Sequence, residues 1–333
     1  MIGALKGGRI SITGLGTHVP ENVVTNDDIA TLVDTSDEWI RERTGIRERR
    51  VAGPEEALSD LALPACQAAL EQAGLDASEL GLIVVATVTP DMMFPSTSVL
   101  LADALGAADA GAYDLLAGCT GFMYALAQGY GMVASGLTPN ALVVGGDTLS
   151  KIVDWNDRST CILFGDGAGA VVLRRVGEGG FLGFELGAEG AGGVHLYYPG
   201  SGSRDNGAAD GRDFVKMNGR EVYKFATRVL VSSAEKILAE CGRTIDDVDV
   251  YVPHQANVRI IEHASKKLGI PQEKVIVNVD RYGNTSSASI PLALADAAAQ
   301  DRLKPGKLVL MTGMGAGLTW GSALIEWTEG MAA

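Results

Sequence analysis

The stretch EQAGLDASELGLIVVATVTP (residues 71–90) is matched in pattern by AECGRTIDDVDVYVPHQ (residues 239–255). In both stretches a helix ends at a glycine, a short polar turn follows, and a β-rich apolar run then predicts a strand. The helix after the first strand ends at Gly106, and the helix after the second ends at Gly269. The offset between these two glycines is close to half of the 333-residue chain, which predicts an internal duplication into two similar α/β halves.

Two further pairs of segments support the duplication. DLLAGCTGF around Cys119 pairs with DRYGNTSSA around Asn284, and ALVVGGD (141–147) pairs with KLVLMTG (307–313), both at nearly the same offset as the two glycines. Chance similarity among Ala- and Gly-rich segments is the alternative explanation. If the duplication is real, Cys119 and Asn284 occupy equivalent strand-to-helix turns near a pseudo-twofold axis, where they can meet in one site.

The rest of the chain also alternates between short β-rich runs and longer amphipathic segments, which predicts a mainly parallel sheet covered by helices. Strands are predicted at residues 81–88, 141–147, 169–176, 247–253 and 307–313. Helices are predicted near residues 57–73, 98–105, 121–135, 220–240, 256–268 and 289–300. Ser59 is expected to cap the first helix. Five glycines are expected to end helices: Gly74, Gly106, Gly136, Gly242 and Gly269.

Composition excludes several classes of protein. Hydrophobic residues make up 47% and charged residues 20%, which excludes a disordered chain, a coiled coil and a collagen-like polymer. A net charge of −14 argues against non-specific binding to nucleic acid or to anionic lipid. The N-terminus lacks an apolar signal region, and no run reaches the roughly 18 apolar residues of a membrane span. We therefore expect a cytoplasmic protein that binds neither nucleic acid nor membrane.

Cofactor and metal motifs are missing from the sequence. The four cysteines lie far apart without a CxxC pair, so reduced thiols are expected rather than disulfides or a zinc site. The segment GLGTHV at Gly14 lacks the third glycine of a dinucleotide fingerprint, and neither GxxxxGK[ST] nor HExxH occurs. The sequence predicts no NAD, no P-loop nucleotide, no metal and no other cofactor.

Cys119 is the best candidate nucleophile. It lies in AGCTGF, between the strand-like YDLL and a helix-like segment, and its small neighbours admit a substrate. A helix N-terminus lowers the pKa of a thiol, so a thiolate is expected here. The alternative is a buried packing residue, which is the interpretation kept for Cys66, Cys161 and Cys241.

Two polar residues, like Cys119, are predicted to lie at a strand-to-helix turn. His254 in VPHQAN lies where a strand ends and a helix begins, the usual place for functional groups in an α/β sheet. It is the best available base or hydrogen-bond donor, while His18, His195 and His263 are expected to be structural or surface residues. Asn284 in RYGNTSSAS follows Gly283, and a turn-forming asparagine is the alternative there.

Six segments, in order, resemble the signature segments of the β-ketoacyl-acyl-carrier-protein synthase III family, which starts bacterial fatty-acid synthesis. They are TSDEWIRERTGIRERR (35–50), AGCTGFMYAL (117–126), FGDGAGAVVL (164–173), VPHQANVRII (252–261), NVDRYGNTSSASIP (278–291) and GLTWGSAL (317–324). The resemblance implies a thiolase-like α/β fold, in which two duplicated βαβαβ-type halves form a five-layer αβαβα arrangement. We expect halves at residues 1–176 and 177–333, and a homodimer.

The resemblance also implies a mechanism. The family's Cys/His/Asn triad corresponds to Cys119, His254 and Asn284. A short acyl-CoA acylates Cys119, while backbone N–H groups of Cys119 and Ala316 hold the oxyanion. Malonyl-acyl carrier protein then binds, and His254 and Asn284 hold its thioester oxygen during decarboxylation and condensation.

Binding residues follow from the same resemblance. The CoA contacts implied are Trp39, Arg43, Arg158, Arg220 and Asn257, with the adenine between Trp39 and Arg158. The acyl pocket is assigned to Met314 and to a Phe94 that reaches across the dimer, and carrier-protein docking to Arg259, Lys266 and Lys267 on one helix face. Met314, Ala316 and Arg220 replace an aromatic, a glycine and an asparagine of better-known members.

Three alternatives remain open. The first is a related priming ketosynthase or acyltransferase of polyketide or other secondary metabolism. The second is a papain-like cysteine peptidase, which has the same Cys, His, Asn order but needs a CG[SA]C[WY] segment that is absent. The third is a non-catalytic thiolase-fold scaffold, in which replacing Cys119 would change nothing.

Overall fold

A computed structural model of the protein describes residues 9–200, 202–203 and 213–328. The N-terminal residues 1–8, on which the expected lack of a signal region partly rests, lie outside the described residues.

The described strands are β1 (Ile10–His18), β2 (Val23–Thr25), β3 (Glu48–Arg50), β4 (Leu82–Ala86), β5 (Gly111–Leu115), β6 (Asn140–Asp147), β7 (Gly167–Arg175), β8 (Gly180–Ala188), β9 (Leu196–Tyr197), β10 (Lys216–Met217), β11 (Val250–Pro253), β12 (Leu308–Gly315) and β13 (Thr319–Glu326). The α-helices are α1 (Asn26–Ala30), α2 (Asp37–Thr44), α3 (Leu58–Ala73), α4 (Thr97–Leu105), α5 (Gly121–Ala134), α6 (Arg158–Cys161), α7 (Gly219–Glu240), α8 (Val258–Leu268), α9 (Val279–Tyr282) and α10 (Ser289–Ala299). Each predicted strand and helix overlaps one of these elements.

The two main sheets have matching strand orders, β1-β7-β6-β4-β5 and β8-β13-β12-β11. In each sheet the first three strands run antiparallel and the remaining pairs are parallel. A parallel bridge from Tyr251 to Val275 extends the second sheet at the position that β5 holds in the first. The duplicated α/β fold is confirmed, but the expectation of mainly parallel sheets is wrong because β7 and β13 each run against both of their neighbours. The boundary at residues 176 and 177 stays a prediction.

The elements stack in five layers. Alternate residues of β4 face opposite sides, since Ile83 and Val85 pack with α3 while Val84 packs with α5. Residues from both sheets meet α5 and α10 in one central core cluster. On the far side of the second sheet, Tyr251 and Leu310 pack with α7 and α8. The predicted αβαβα arrangement is therefore present.

The helix ends agree with the sequence except at one position. All five predicted glycines have positive φ, between +56° and +78°. Ser59 does not cap α3, because it lies inside the first turn and its hydroxyl donates to Asp91 at 2.6 Å. Ala57 is the N-cap residue, and its N–H donates to the Asp60 carboxylate at 2.8 Å.

Sequence reasoning missed β1, β8 and β13, although each has eight or nine residues. Glycine weakens the strand pattern of β1 and β8. The glycines of β1 have a packing role, because a Cβ on Gly14 would lie 2.0 Å from the Ala69 carbonyl oxygen, and one on Gly16 would lie 2.1 Å from that of Ala65. Contact between β1 and α3 at this distance requires glycine in the strand.

Replacing Gly16 with alanine should therefore force β1 and α3 apart. We expect G16A to lower the free energy of unfolding by about 1–3 kcal/mol, measured by urea denaturation. Gly131 is the matched control, because it is exposed in α5 and a Cβ added to it would have nothing within 4 Å. G131A should raise stability by up to about 1 kcal/mol. Equal stabilities of G16A and the unmodified protein would contradict the tight packing.

Candidate active site

Cys119 lies in a short 3-10 helix, Gly118–Thr120, between β5 and α5, and is half-buried. The loop after β12 packs against this short helix. Gly118 has a φ of +59°, and a Cβ there would lie 2.8 Å from the Ala316 nitrogen. A Cβ on Gly315 would lie 2.6 Å from the Cys119 nitrogen. Both positions need glycine, and their contact joins the turn that carries Cys119 to the second half of the chain.

Two backbone N–H groups converge on the Cys119 sulfur. Those of Cys119 and Ala316 both interact with the thiol and favour its charged form. The hydroxyl oxygen of Thr319 lies 3.0 Å from the Ala117 carbonyl oxygen and 3.1 Å from that of Ala316, which ties the two loops together. Paired N–H donors beside a nucleophile are the arrangement that stabilises an oxyanion. The Ala316 methyl group lies opposite Gly118, which has no Cβ to obstruct it.

The pKa of the free thiol differs from the expectation. Burial raises the pKa of Cys119 to about 11, and the nearby Asp147 carboxylate raises it further. The Ser286 hydroxyl and the two N–H groups lower this pKa but do not outweigh burial. The prediction of a lowered pKa is wrong for the free enzyme, since it considered the helix N-terminus without the loss of solvent. The thiol is protonated at neutral pH.

His254 follows the last residue of β11 and is 1% exposed. Its backbone N–H donates to the Thr312 carbonyl at 2.8 Å, and its Nδ1 lies 2.5 Å from the Ser289 hydroxyl oxygen. Burial lowers the pKa of His254 to about 4, because the cation loses its hydration. At neutral pH His254 is therefore an uncharged imidazole, suited to donating a hydrogen bond without carrying a charge.

Asn284 is anchored by its backbone and by its side-chain oxygen. Its N–H donates to the Leu163 carbonyl at 2.8 Å, and its own carbonyl accepts from the Gly165 N–H at 3.1 Å. Its Oδ1 accepts from the Ser286 N–H at 2.9 Å. Within the part of the chain that the structure describes, Nδ2 has no hydrogen-bond partner. The amide is fixed with its donor end unused, which a turn-forming asparagine does not require.

Ser286 links these groups. It has a φ of +52°, and its buried hydroxyl makes no hydrogen bond apart from its interaction with Cys119 in the described residues. Ser287 donates to the Asp147 carboxylate at 2.8 Å, and Ser289 starts α10 beside His254. The structure thus brings the Cys119 turn against the segment 284–289. Sequence reasoning missed Ser286, Ser289 and Asp147, although the serine-rich run TSSAS was visible.

The boundaries of the helices and strands correct one equivalence between the two halves. The pairs Leu82 and Val250, Gly121 and Ser289, and Asn140 and Leu308 begin corresponding elements, and all three pairs have the same offset in sequence. At this offset Cys119 corresponds to Ser287. Asn284 lies three residues before Ser287. The sequence comparison paired Asn284 with Cys119 because it aligned similar residue types and not the starts of the two helices.

The residues predicted to hold CoA come together only in part. The guanidinium carbons of Arg43 and Arg158 lie 4.7 Å and 4.9 Å from the centre of the Trp39 ring. Asn257 donates to the Arg43 carbonyl at 2.9 Å, whereas Arg220 is exposed at the start of α7. A base between indole and guanidinium needs about 3.5 Å on each face, so the expected adenine slot is closed. Arg158 stacks on the indole itself and must move away before a base can enter.

The other predicted binding residues lie apart from one another. Phe94 is 85% exposed between β4 and α4, whereas Met314 is buried on β12 against Phe225 and Ile260. Within one chain they do not form a common pocket. The three predicted docking cations are all exposed on α8, and none forms an ion pair with another described residue: Arg259, Lys266 and Lys267.

Within residues 9–200, 202–203 and 213–328, no three His, Cys, Asp or Glu side chains are grouped as metal ligands. No helix of the described ranges combines the length and apolar character needed to cross a membrane.

Comparisons with known proteins place these observations in a family. The model of 3-oxoacyl-[acyl-carrier-protein] synthase III matches residues 113–190, and the model of its C-terminal part matches residues 238–327. A β-ketoacyl-[acyl-carrier-protein] synthase III of Symbiobacterium thermophilum is 53% identical over 323 residues, covering 96% of this chain and 98% of the relative. A relative from Deinococcus radiodurans, a β-ketoacyl-[acyl-carrier-protein] synthase III 2, is 49% identical over 333 residues, covering 99% and 98%.

Two solved structures are similar to this chain in both fold and sequence. The β-ketoacyl-[acyl-carrier-protein] synthase III of Thermus thermophilus has a TM-score of 0.90 at 49% identity, covering 95% of this chain and 99% of that one. The priming β-ketosynthase of the R1128 polyketide pathway has a TM-score of 0.91 at 37% identity, covering 97% and 98%.

The contact between Ser286 and Cys119 has a measurable effect. S286A should raise the pKa of Cys119 still further and slow its alkylation by iodoacetamide at pH 8 by about three- to tenfold. Alkylation is followed at Cys119 by peptide mass spectrometry between pH 7 and 11. S11A, a buried serine in β1, is the control and should leave the profile unchanged. Superimposable profiles for S286A and the unmodified protein would show that the hydroxyl does not act on the thiol.

Proposed function

The chain belongs to the β-ketoacyl-[acyl-carrier-protein] synthase III family of acyl-transferring condensing enzymes, and from this we propose its reaction and the residues that perform it. The substrates are a short acyl-CoA and malonyl-acyl carrier protein. The product is a β-ketoacyl-carrier protein, formed through an acyl-Cys119 intermediate. The convergence of two backbone N–H groups on Cys119, beside the fixed donors His254 and Asn284, carries the proposal.

In the first half-reaction the Cys119 sulfur attacks the thioester carbonyl of acyl-CoA. A sulfur–carbon bond forms, and the N–H groups of Cys119 and Ala316 stabilise the negative oxygen. The bond to the CoA sulfur then breaks, and CoA leaves as the thiol with the proton that Cys119 gives up. The cysteine carries the acyl group, so the reaction uses no metal or redox cofactor.

In the second half-reaction the malonyl thioester oxygen accepts hydrogen bonds from His254 and Asn284. The bond between the malonyl carboxylate and its methylene carbon breaks, carbon dioxide leaves, and the electron pair forms an enolate. The enolate carbon attacks the acyl-Cys119 carbonyl, and the Cys119 thiolate departs. A neutral His254 stabilises the enolate oxygen as a hydrogen-bond donor.

Substrate binding is assigned to two surfaces. The CoA nucleotide contacts Trp39, Arg43 and Arg158 once Arg158 leaves the indole, with Asn257 and Arg220 nearer the pantetheine arm. The carrier protein docks on the face formed by Arg259, Lys266 and Lys267. On a chain with a net charge of −14, such a basic face attracts an acidic partner locally.

A homodimer in the cytoplasm completes the proposal. Four large apolar side chains near the site are about half or more exposed: Met92 48%, Met93 68%, Phe94 85% and Leu116 77%. Such a patch is typical of an interface between subunits. If a second copy covers this patch, Phe94 of one subunit would lie beside Met314 in the acyl pocket of the other.

A second candidate is the priming step of a polyketide pathway, favoured by the likeness to the R1128 ketosynthase. The chemistry is the same, and the preferred acyl group and carrier protein differ. Family membership over nearly the whole chain excludes the papain-like alternative.

Single-residue variants separate the two half-reactions. Peptide mass spectrometry after mixing with acyl-CoAs should show acylation at Cys119 and none in C119A. H254A and N284A should still be acylated, but each should release carbon dioxide from malonyl-carrier protein about 10²–10³ times more slowly. Acylation across a panel from acetyl to branched and medium-chain groups identifies the starter unit. A C119A variant that still condenses would rule out the acyl-Cys119 intermediate, whereas an unmodified protein that neither becomes acylated nor condenses would support the scaffold alternative.

The docking face is tested by charge reversal. R259E should raise the KM for malonyl-carrier protein about tenfold, an effect that shrinks as salt increases, and leave acylation by acyl-CoA unchanged. K304E is the control, because Lys304 is exposed before the start of β12, at the sheet end opposite the site. Equal KM values for R259E and K304E would place docking elsewhere.

A further inference from the structure

We propose that Ser289 is a positioning residue that fixes the tautomer of His254, so that the ring proton lies on Nε2 and faces the substrate. The proposal rests on the proposed function, in which His254 donates a hydrogen bond to the malonyl thioester oxygen. Ser289 touches neither the substrate nor the sulfur in this proposal, and it acts only through His254.

The contact between Ser289 and His254 is short and buried. The hydroxyl oxygen of Ser289 lies 2.5 Å from Nδ1 of His254, and both residues are 1% exposed. Ser289 is the first residue of α10, and the Gln255 N–H donates to the same hydroxyl oxygen at 3.3 Å. Water does not compete with the imidazole for this hydroxyl, because both groups are buried.

The numbers of protons and lone pairs on the Ser289 hydroxyl determine which group donates in its hydrogen bond with His254. A serine hydroxyl has one proton to donate and two lone pairs to accept with, and the Gln255 N–H already occupies one lone pair. Among the described residues, Nδ1 of His254 is the acceptor available to the hydroxyl proton. If Nδ1 carried its own proton, the hydroxyl proton would be buried without a partner, at the cost of a lost hydrogen bond. Nδ1 is therefore bare.

The placement of the proton matters because His254 has only one. A neutral imidazole with its proton on Nδ1 would turn the Nε2 lone pair toward the thioester oxygen and repel the negative charge that develops there. With Ser289 donating to Nδ1, the remaining proton is on Nε2, where it serves as a donor.

The same short segment orients the second donor. The Ser286 N–H holds Oδ1 of Asn284 and leaves Nδ2 free to donate. Between Ser286 and α10, Ser287 is held by Asp147 and by the Ala86 carbonyl at 2.9 Å. Residues 286–289 thus set both donors and are themselves braced against the first sheet.

The tautomer is measured directly in the unmodified full-length protein. Long-range ¹H–¹⁵N spectra of histidine-labelled protein distinguish a bare Nδ1 from a protonated one, and the H254N spectrum assigns the signals of His254. We expect a bare Nδ1 and a protonated Nε2 at pH 7. A protonated Nδ1 would overturn the proposal, whatever the activity of any variant.

The kinetics of S289A then test whether this tautomer matters for decarboxylation. We expect carbon dioxide release from malonyl-carrier protein to fall about tenfold, the size of one ordinary hydrogen bond, with acylation of Cys119 unchanged. The control S265A removes another buried serine hydroxyl, one that donates to the Ile261 carbonyl at 2.9 Å, and should leave both rates unchanged. S289C restores a weak donor and should recover part of the loss.

The outcomes separate the two proposals. If H254A releases carbon dioxide at the unmodified rate, the proposed role of His254 fails. If H254A is impaired while S289A keeps both the unmodified rate and the Nε2–H tautomer, only the role of Ser289 is wrong. A loss of Cys119 acylation in S289A equal to its loss of decarboxylation would show a general structural effect and would also overturn the positioning role.

Discussion

The contact between two glycine-containing loops is the constraint on which the site depends. A Cβ on Gly118 or on Gly315 would lie within 3 Å of a backbone nitrogen of the facing loop, so neither loop can approach the other unless both residues are glycine. Only this approach places the N–H groups of Cys119 and Ala316 beside one sulfur. The five layers serve the contact, because they bring the turn that follows β5 of one sheet against the end of β12 in the other.

Burial at this contact determines the charge state of the site. The same loss of solvent raises the pKa of Cys119 and lowers that of His254, so the thiol and the imidazole are both neutral in the free enzyme. During the proposed reaction, negative charge develops on the acyl oxygen and later on the enolate oxygen. Fixed neutral donors meet both charges, so no cation has to be buried beside the reacting groups.

Local sequence signals predicted the position of each candidate reacting group but not its surroundings. Cys119, His254 and Asn284 were found because they follow strand-like segments, and the repeated segments predicted the duplicated fold. The pKa of Cys119 was predicted in the wrong direction, because burial depends on the loop after β12, which is far away in the sequence. β1 was missed because its glycines fit against α3 and weaken its strand pattern. Ser286 and Ser289 look like turn formers in sequence, and only the folded chain shows what each hydroxyl faces.

The duplication also explains why the two halves have different roles. The turn before α5 and the turn before α10 have the same local structure, a 3-10 helix leading into an α-helix. Equivalent residues of these turns, Cys119 and Ser287, adjoin one pseudo-twofold axis. Cys119 is half-buried beside the N–H groups of its own turn and of Ala316, whereas Ser287 is fully buried and bonds to the Asp147 carboxylate. In the proposed mechanism, one copy of the turn therefore supplies the reacting sulfur, and the other supplies the contact with the first sheet and the neighbouring donors that orient the second substrate.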